Sequence, residues 1–513
     1  MLLRLGRPVP KRAHRGQSRA RGAAVLTQSD GAGLPTLGVG IVYSSALDPL
    51  LVAHEELVDV VEIEPQTTWI ETGDPAAPLL AREEVVDHLA TLPGRKLVHS
   101  IGAPVGGTVA PDEVQLRLLR QAVDRLAVPW ASEHLAFNRT DESFAGFFLP
   151  PRQTDAGVHA AVAAVRRLQD ALGVPIAVET GVNYLRPRRD EMPDGEFVAA
   201  VVEEAGCGIL LDLHNAYCNE RNGRESVERF LERLPLGRVW EVHLAGGFEL
   251  GGYWLDAHSG AVPPVLEAYC RQVIPSLPNL KAMVFEVFPS FLPQVGPDGV
   301  RRELEKLHVL WESRGTAATP PAAAARAPLR AVPARSADAV SPQEWEQALG
   351  RLVVGHAPET DLERELAADP GVPLVRSLVE EFRASMVVGV HRLSSRLLML
   401  ALGADIFRAL LADFWSGSPP QQFAGTEAER FADYLLAKNV RIPQFQAVLA
   451  FERAALATVR DGKSRLVRFE VDPLPVLRAL IDGVLLEEPG PFGEYEIELT
   501  AEDAAVLVGP GGF

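Results

Sequence analysis

Cysteine is scarce. Cys207, Cys218 and Cys270 are the only three in 513 residues, and they form neither a disulfide framework nor a Cys-x-x-Cys metal motif. So few thiols suit a reducing cytoplasm. Basic charge is short as well: 50 Lys and Arg stand against 68 Asp and Glu, leaving a net charge of -18. A chain this acidic lacks the positive face that broad binding to nucleic acid or anionic lipid requires, so neither is expected as a partner. The basic residues that do cluster sit at the N-terminus (Arg4, Arg7, Lys11, Arg12, Arg15, Arg19 and Arg21) with no acidic residue among them. No apolar run there is long enough for a signal segment or a membrane span, and residues 1–33 read as a disordered tail. A glycine-rich phosphate loop is also missing: neither G-x-G-x-x-G nor a P-loop follows the first strand-like run.

What the chain does have is length and apolar residues, 47% of the total, enough for two domains. An Ala/Pro/Arg-rich stretch at 315–339, without aromatics, reads as a linker between segments 34–314 and 340–513. In the first segment, short β-type runs alternate with helical patterns. Expected strands are Leu37–Val42, Val58–Ile63, Lys96–Ser100, Trp130–Leu135, Ile176–Glu179, Gly208–Leu213, Arg238–Leu244 and Met283–Val287. Helical spacing marks Asp112–Leu126, Asp155–Leu172, Glu196–Ala205 and Val262–Ser276. Strands and helices alternating in this number predict an α/β fold, a (β/α)8 TIM barrel, over a doubly wound open sheet. The second segment reads as a smaller, mostly helical α+β domain. Its expected helices are Leu362–Ala367, Leu374–Phe382, Ser394–Leu411, Thr426–Lys438 and Ile442–Thr458; strands Arg465–Val471 and Tyr495–Leu499 flank a helix at Pro473–Ile481.

In such a barrel, catalytic groups occupy the C-terminal ends of the strands. Those ends carry Glu62 and Glu64, then His99, Glu133 and His134, Glu179, Asp212 and His214, Glu241 and His243, and Glu286. The loop after the seventh strand adds Asp256 and His258. Ionisable residues are seldom buried alone, so a ring of them needs a cation or a set of ion pairs. Lys and Arg are nearly absent from the same ends, which favours the cation. His99, His134, Glu179, Asp212, His243, Asp256, His258 and Glu286 are therefore candidate metal ligands. Glu241 is left out as facing outward or pairing locally, and His88 and His159 fall on expected helices. Imidazole and carboxylate without thiolate suit Fe, Mn or Zn, and this many ligands exceeds the needs of one ion. Two or three ions are expected, their identity left open by ligand chemistry.

Several separated motifs carry a resemblance: Leu97-Val-His-Ser-Ile-Gly, Ser132-Glu-His-Leu-Ala, Val178-Glu-Thr, Cys207-Gly-Ile-Leu-Leu-Asp-Leu-His-Asn-Ala-Tyr, Val242-His-Leu-Ala-Gly, Asp256-Ala-His and Phe285-Glu. In order and spacing, the stretch from about Gly38 to Leu310 resembles the multinuclear non-heme iron-dependent oxidases, a family that includes the iron enzyme of methanobactin biosynthesis. The resemblance implies a (β/α)8 barrel, two or three bound irons, and O2-dependent oxidative modification of a ribosomally made precursor peptide, often at cysteine. It implies metal-ligand roles for the eight residues above, with His99, His134, Glu179, Asp212 and His243 catalytic. The chain departs from the family pattern at Glu179-Thr180-Gly181, at Asp212-Leu213-His214-Asn215 and at Glu286-Val287-Phe288. His214 thus enters the candidate metal set, either as an added imidazole ligand or as a replacement for an amide hydrogen bond. Cys218, after the sixth strand, reads as a structural thiol.

Segment 340–513 is similar, more loosely, to the family's helical partner proteins, through Ile406–Leu411, Phe414-Trp415, Ala428–Leu436 and Pro443–Leu456. That similarity implies docking of the precursor peptide, by strand addition to Arg465–Val471. No helix in this segment carries the dense basic face of a DNA-binding domain. The competing readings are a divalent-metal sugar isomerase or phosphodiesterase, and a non-catalytic assembly protein with structural metal.

Overall fold

The computed structural model describes residue 31 and residues 33–315, 340–486, 488 and 490–508. The expected basic tail and the expected linker lie, apart from their edges, outside the described residues.

Eight strands form a closed parallel barrel: β1 (Gly38–Val42), β2 (Val60–Ile63), β3 (Arg95–Ser100), β4 (Ala131–His134), β5 (Ile176–Glu179), β6 (Gly208–Asp212), β7 (Val239–Ala245) and β8 (Ala282–Glu286). Each pairs in parallel with its sequence neighbours, and β1 closes the ring against β8. This is the TIM barrel that the alternation predicts, and its closure excludes the open sheet.

Period-2 alternation splits the strands into two faces. Val61, Ile63, Val98, Val178, Ile209, Leu211, Val242, Leu244, Met283 and Phe285 point outward into the layer beneath the helices. Val60, Leu97, Trp130, Ala177, Leu210, Ala282 and Val284 belong to a separate apolar cluster that plugs the interior. Strands buried on both faces read as unbroken apolar runs, which is why they were legible. The helices present one apolar stripe to this barrel. Asp155–Leu172, for example, buries Val158, Ala161, Val162, Val165, Leu168 and Leu172. It starts at Thr154, whose side chain accepts from Gly157 N, and stops at Gly173 with φ 62°.

Short hairpins decorate the mouth: Trp69–Glu71 with Leu79–Ala81, Phe137–Arg139 with Phe144–Leu149, and Phe248–Leu250 with Tyr253–Leu255. Onto them pack the helices Pro342–Val353, Asp361–Ala367 and Gly371–Val390. Trp345, Leu349, Leu366 and Val379 share one apolar cluster with Phe137, Leu149, Tyr184, Leu185 and Leu255. The indole N–H of Trp345 donates to the carbonyl of Pro150 at 3.0 Å. Glu346, nearly fully buried, accepts from Thr108 N at 2.9 Å and from its hydroxyl at 2.5 Å.

Four further helices (Arg392–Leu402, Ala404–Gly417, Ala424–Ala437 and Phe445–Asp461) and the antiparallel pair β9 (Arg465–Val471) and β10 (Phe492–Leu499) enclose their own aromatic core, including Phe407, Phe414, Phe431, Phe445, Phe451 and Phe469. Sequence spacing gave a single helix over Ser394–Leu411. The structure breaks it at Gly403, whose φ of 90° with ψ of 155° is closed to side-chain-bearing residues. Among the described residues, no single helix is long and apolar enough to cross a membrane.

Candidate metal centre

On five of the strands the inward face changes character at the last residue or the one before it. Val60 is followed by Glu62, Leu97 by His99, Ala177 by Glu179, Leu210 by Asp212 and Val284 by Glu286, all on the same side of the pleat. The apolar plug thus carries a polar layer on top, facing the mouth. A cleft opens above it, lined by His134, Phe147, Phe148, Tyr184, Asp256 and His258, among others.

The layer is buried and tightly joined. Glu179 Oε2 lies 3.2 Å from His99 Nε2 and 3.0 Å from His134 Nε2. His243 lies between two carboxylates, Nε2 at 2.7 Å from Glu62 and Nδ1 at 3.3 Å from Glu286. His258 bridges Asp256 at 2.8 Å and Glu286 at 3.0 Å. Glu62, Asp212 and His243 are completely inaccessible to solvent.

Several of these short separations lack hydrogen-bond alignment. Glu62 Oε2, Glu179 Oε2, Asp212 Oδ2, Glu241 Oε1 and both ring nitrogens of His243 and His258 have no aligned partner. Orphaned polar atoms at this density are costly, and they are what a shared cation would satisfy. Four triads each bring a ligand atom per residue within 4.8 Å of one another: His99–His134–Glu179, Glu179–Asp212–His243, Asp212–His258–Glu286 and Glu62–Glu241–His243. Shared members join them into one cluster with room for more than a single ion, and the donors are nitrogen and oxygen only. The residues present fit a multinuclear metal group.

Protonation follows the same geometry. Burial opposes charge on His99, yet Glu179 beside it pushes the imidazole up to about 10. Burial likewise opposes charge on His243, and Glu62, Glu241 and Glu286 raise it well above the usual histidine range. Burial, together with Asp256 and Glu179, pushes Asp212 up to about 7. Protons therefore occupy positions a cation would take, and metal binding would release them.

Residues 38–287 match the family model described as RiPP precursor modification enzyme MbnB/TglH/ChrH, where RiPP denotes a ribosomally synthesised and post-translationally modified peptide. A UPF0276 protein of Anaeromyxobacter sp. is 31% identical over 218 residues, which cover 41% of this chain and 75% of that protein. The chain belongs to this family. A UPF0276 protein of Chromobacterium violaceum is 36% identical over 177 residues, covering 34% of this chain and 64% of its relative's length. Among solved structures, a xylose isomerase domain protein from Planctomyces limnophilus aligns over 55% of this chain and all of its own, at 14% identity and a TM-score of 0.37.

For a member of the MbnB/TglH/ChrH family, the departures at the strand ends gain structural content. His99, His134, Glu179, Asp212, His243, Asp256, His258 and Glu286 all converge on the mouth. His214 is fully buried at the start of the helix Leu213–Arg221 and contacts Asp256; neither residue joins any of the four triads, and Asp256 reaches the cluster through His258 at 2.8 Å. Asp212 also caps that helix, accepting from Asn215 N at 2.7 Å, which aims its other oxygen at the cluster. Glu133 is drawn away from the ring: its two oxygens accept from Ser100 Oγ and from the backbone N–H groups of Ala103 and His134. His88 lies half-exposed on the helix Glu83–Thr91, beside Asp48, and His159 donates into its own helix at Asp155.

Sequence reasoning left Glu62 and Glu241 out of the ligand set. Both are fully buried and inward-facing around His243; Glu241 also accepts from the Trp130 indole at 3.0 Å. The signal was available: Glu62 stands two residues beyond Val60, and Glu241 two before His243, on one strand face. Cys218 is buried one helical turn from His214, and burial raises its thiol well above the usual range. Its Sγ lies 3.8 Å from both ring nitrogens of His214.

Proposed function

We propose that this chain is a multinuclear non-heme iron-dependent oxidase that modifies a ribosomally made precursor peptide, at cysteine or a neighbouring residue, with O2 as co-substrate. The observation that carries the reading is the buried ring of unpartnered imidazole and carboxylate atoms at the barrel mouth. Family membership supports the peptide as substrate class. His99, His134, Glu179, Asp212, His243, Asp256, His258 and Glu286 would hold two or three irons, with Glu179 and Asp212 able to serve neighbouring ions because each belongs to two triads. Bound iron would supply the electrons for O2 chemistry. The protein's own part is to fix the ligands and keep the cluster dry: Phe148 stacks on His134 at 4.0 Å between ring centres, and the apolar plug closes the barrel beneath.

Segment 340–513 would dock the peptide. Among the described residues, β9 pairs only with β10, and its other edge would take the added strand. A cytoplasmic location accords with three buried, unpaired cysteines.

Purification without oxygen, with iron supplied, should give more than one iron per chain by elemental analysis. A Cys-containing precursor peptide should then consume O2 and change mass. One tightly held zinc and no redox response would turn the reading toward a hydrolase or isomerase.

A further inference from the structure

Both ring nitrogens of His214 are hydrogen-bonded, with Cys218 Sγ 3.8 Å from each, and the identities of the nitrogen and oxygen partners settle which way. Trp254 Nε1–H lies 3.2 Å from His214 Nε2. An indole can only donate, so Nε2 must be the acceptor. The ring proton therefore resides on Nδ1, which donates to Asp256 Oδ1 at 2.9 Å. With one lone pair taken by the indole and the other nitrogen protonated, the ring offers nothing to a metal.

The surroundings are built to keep this arrangement. Trp254 is fixed by Asn222, which exchanges two hydrogen bonds with its backbone, at 2.8 and 3.0 Å. Tyr217 packs against the indole edge-on and Arg221 lies over it. All three holders belong to or end the helix Leu213–Arg221 that carries His214 itself. Gly247 runs directly across the contact: a Cβ there would stand 2.5 Å from His214 Nε2 and 2.7 Å from Trp254 Nε1. The backbone approaches so closely that only glycine leaves the indole–imidazole bond intact.

We infer that His214 is a positioning residue, held as the Nδ1–H tautomer by Trp254, which orients the Asp256 carboxylate toward the metal cluster. The inference rests on the reading that Asp256 is a metal ligand. A histidine's second nitrogen commonly fixes the ligand it serves; here the whole imidazole is given over to a carboxylate, the reverse of the usual carboxylate-behind-histidine order.

The test is anaerobic Fe(II) binding, with the metal alone as probe, read as stoichiometry by elemental analysis and as affinity by chelator competition. His214→Asn keeps an N–H donor near the position of Nδ1 but removes the imidazole. It should retain the wild-type iron count, with affinity within about threefold, whereas His214→Ala should weaken binding by roughly 10–100-fold. Trp254→Phe, which deletes the donor that sets the tautomer, should fall between the two while leaving the count unchanged. Loss of an iron in His214→Asn as well as in His214→Ala would make His214 a ligand and overturn the inference. Wild-type affinity in His214→Ala beside a metal-poor Asp256→Asn would overturn the positioning role alone. Wild-type affinity in Asp256→Asn would instead remove the underlying ligand assignment, and the inference with it.

Discussion

Two regions of the chain bury carboxylates, and they treat them differently. In the C-terminal region, Glu427 is fully buried with every oxygen used: Oε1 accepts from Arg383 at 2.7 Å and from the Trp415 indole at 3.2 Å, and Oε2 from Gln421 N at 3.1 Å. Arg383 in turn donates to the carbonyl of Ser418. Glu452 caps the helix Arg392–Leu402 from a distance, accepting from Leu393 N and Ser394 N. At the barrel mouth the carboxylates face histidines at similar separations, yet their inner oxygens lack aligned donors. Burial of charge by itself therefore carries no functional signal. Several uncompleted charges converging on one point do, because such an arrangement persists only if something else completes it, whereas a lone atom such as Glu429 Oε1 in the C-terminal region does not.

The largest effect expected from this contrast is at Glu179, which serves two triads. Glu179→Ala should lose at least one iron per chain, and most turnover of the precursor peptide with it, while circular dichroism shows a folded barrel. His88→Ala, on the exposed side of the helix Glu83–Thr91, should keep its full metal content. The reverse pattern would break the comparison, since the uncompleted charges would then not be the ligands.

Next is the seam between the two regions, where charge is again completed locally. Glu346 is satisfied by Thr108, and Glu71 by the backbone and hydroxyl of Thr426, each contact crossing from one region to the other. Trp345, 2% exposed, is the apolar anchor. Trp345→Ala should cost roughly 3–5 kcal/mol of stability by urea denaturation. A protease cut within 316–339 should leave the two pieces eluting together from a sizing column, and Trp345→Ala should separate them. Independent elution of the cut wild-type pieces would mean that the seam contributes far less than its burial suggests.

Much of this was legible and some was not, for physical reasons. The barrel strands were readable because runs such as Gly208-Ile-Leu-Leu-Asp are buried on both faces, and the polar layer because seven of the eight carry an ionisable residue within their last three positions. The ligand face of Glu62 was overlooked although period-2 spacing from Val60 announces it. The three-residue rim hairpins carry too few positions for a period to register. The seam was beyond reach for another reason: Trp345 meets Pro150 across 195 residues of sequence, and no local pattern encodes such a pairing.

A smaller effect sharpens the C-terminal half of the contrast. Arg383→Ala should destabilise by about 3 kcal/mol, since it strands the Glu427 carboxylate in the interior. The double variant Arg383→Met with Glu427→Gln should recover part of that loss, because the neutral amide leaves no charge unpartnered and its oxygen can still accept from Trp415 or Gln421. Chemical denaturation of the two variants decides the point. A double variant as unstable as the single would show that the region depends on the ion pair itself rather than on its completeness.

The smallest effect concerns His391, the one imidazole of the C-terminal region that is 2% exposed and lacks a close carboxylate; Glu429 Oε1 is 3.7 Å away. Burial, then the nearby Arg453 and Arg460, push it down to about 4, so it is neutral in the folded protein. The sign follows. Above about pH 6.5 the histidine is neutral in both states and contributes no pH dependence. As pH falls from there toward 4, the unfolded chain takes up a proton that the folded chain refuses, and stability drops. Glu452, pushed up to about 7 by burial, works in the opposite direction, because the folded protein takes its proton first. The two oppose each other, and Glu346 and Asp212, each pushed up to about 7, titrate in the same range, so a single pH profile would not separate them. A comparison with His391→Gln isolates the histidine, since the amide never titrates while Glu452 and the metal cluster are common to both proteins. The stability gap between wild type and variant should narrow by about 2 kcal/mol between pH 7.5 and pH 5. A gap that holds constant or widens toward acid would place a proton on the buried imidazole, and would make His391 a charged group completed by Glu429, as Arg383 is by Glu427.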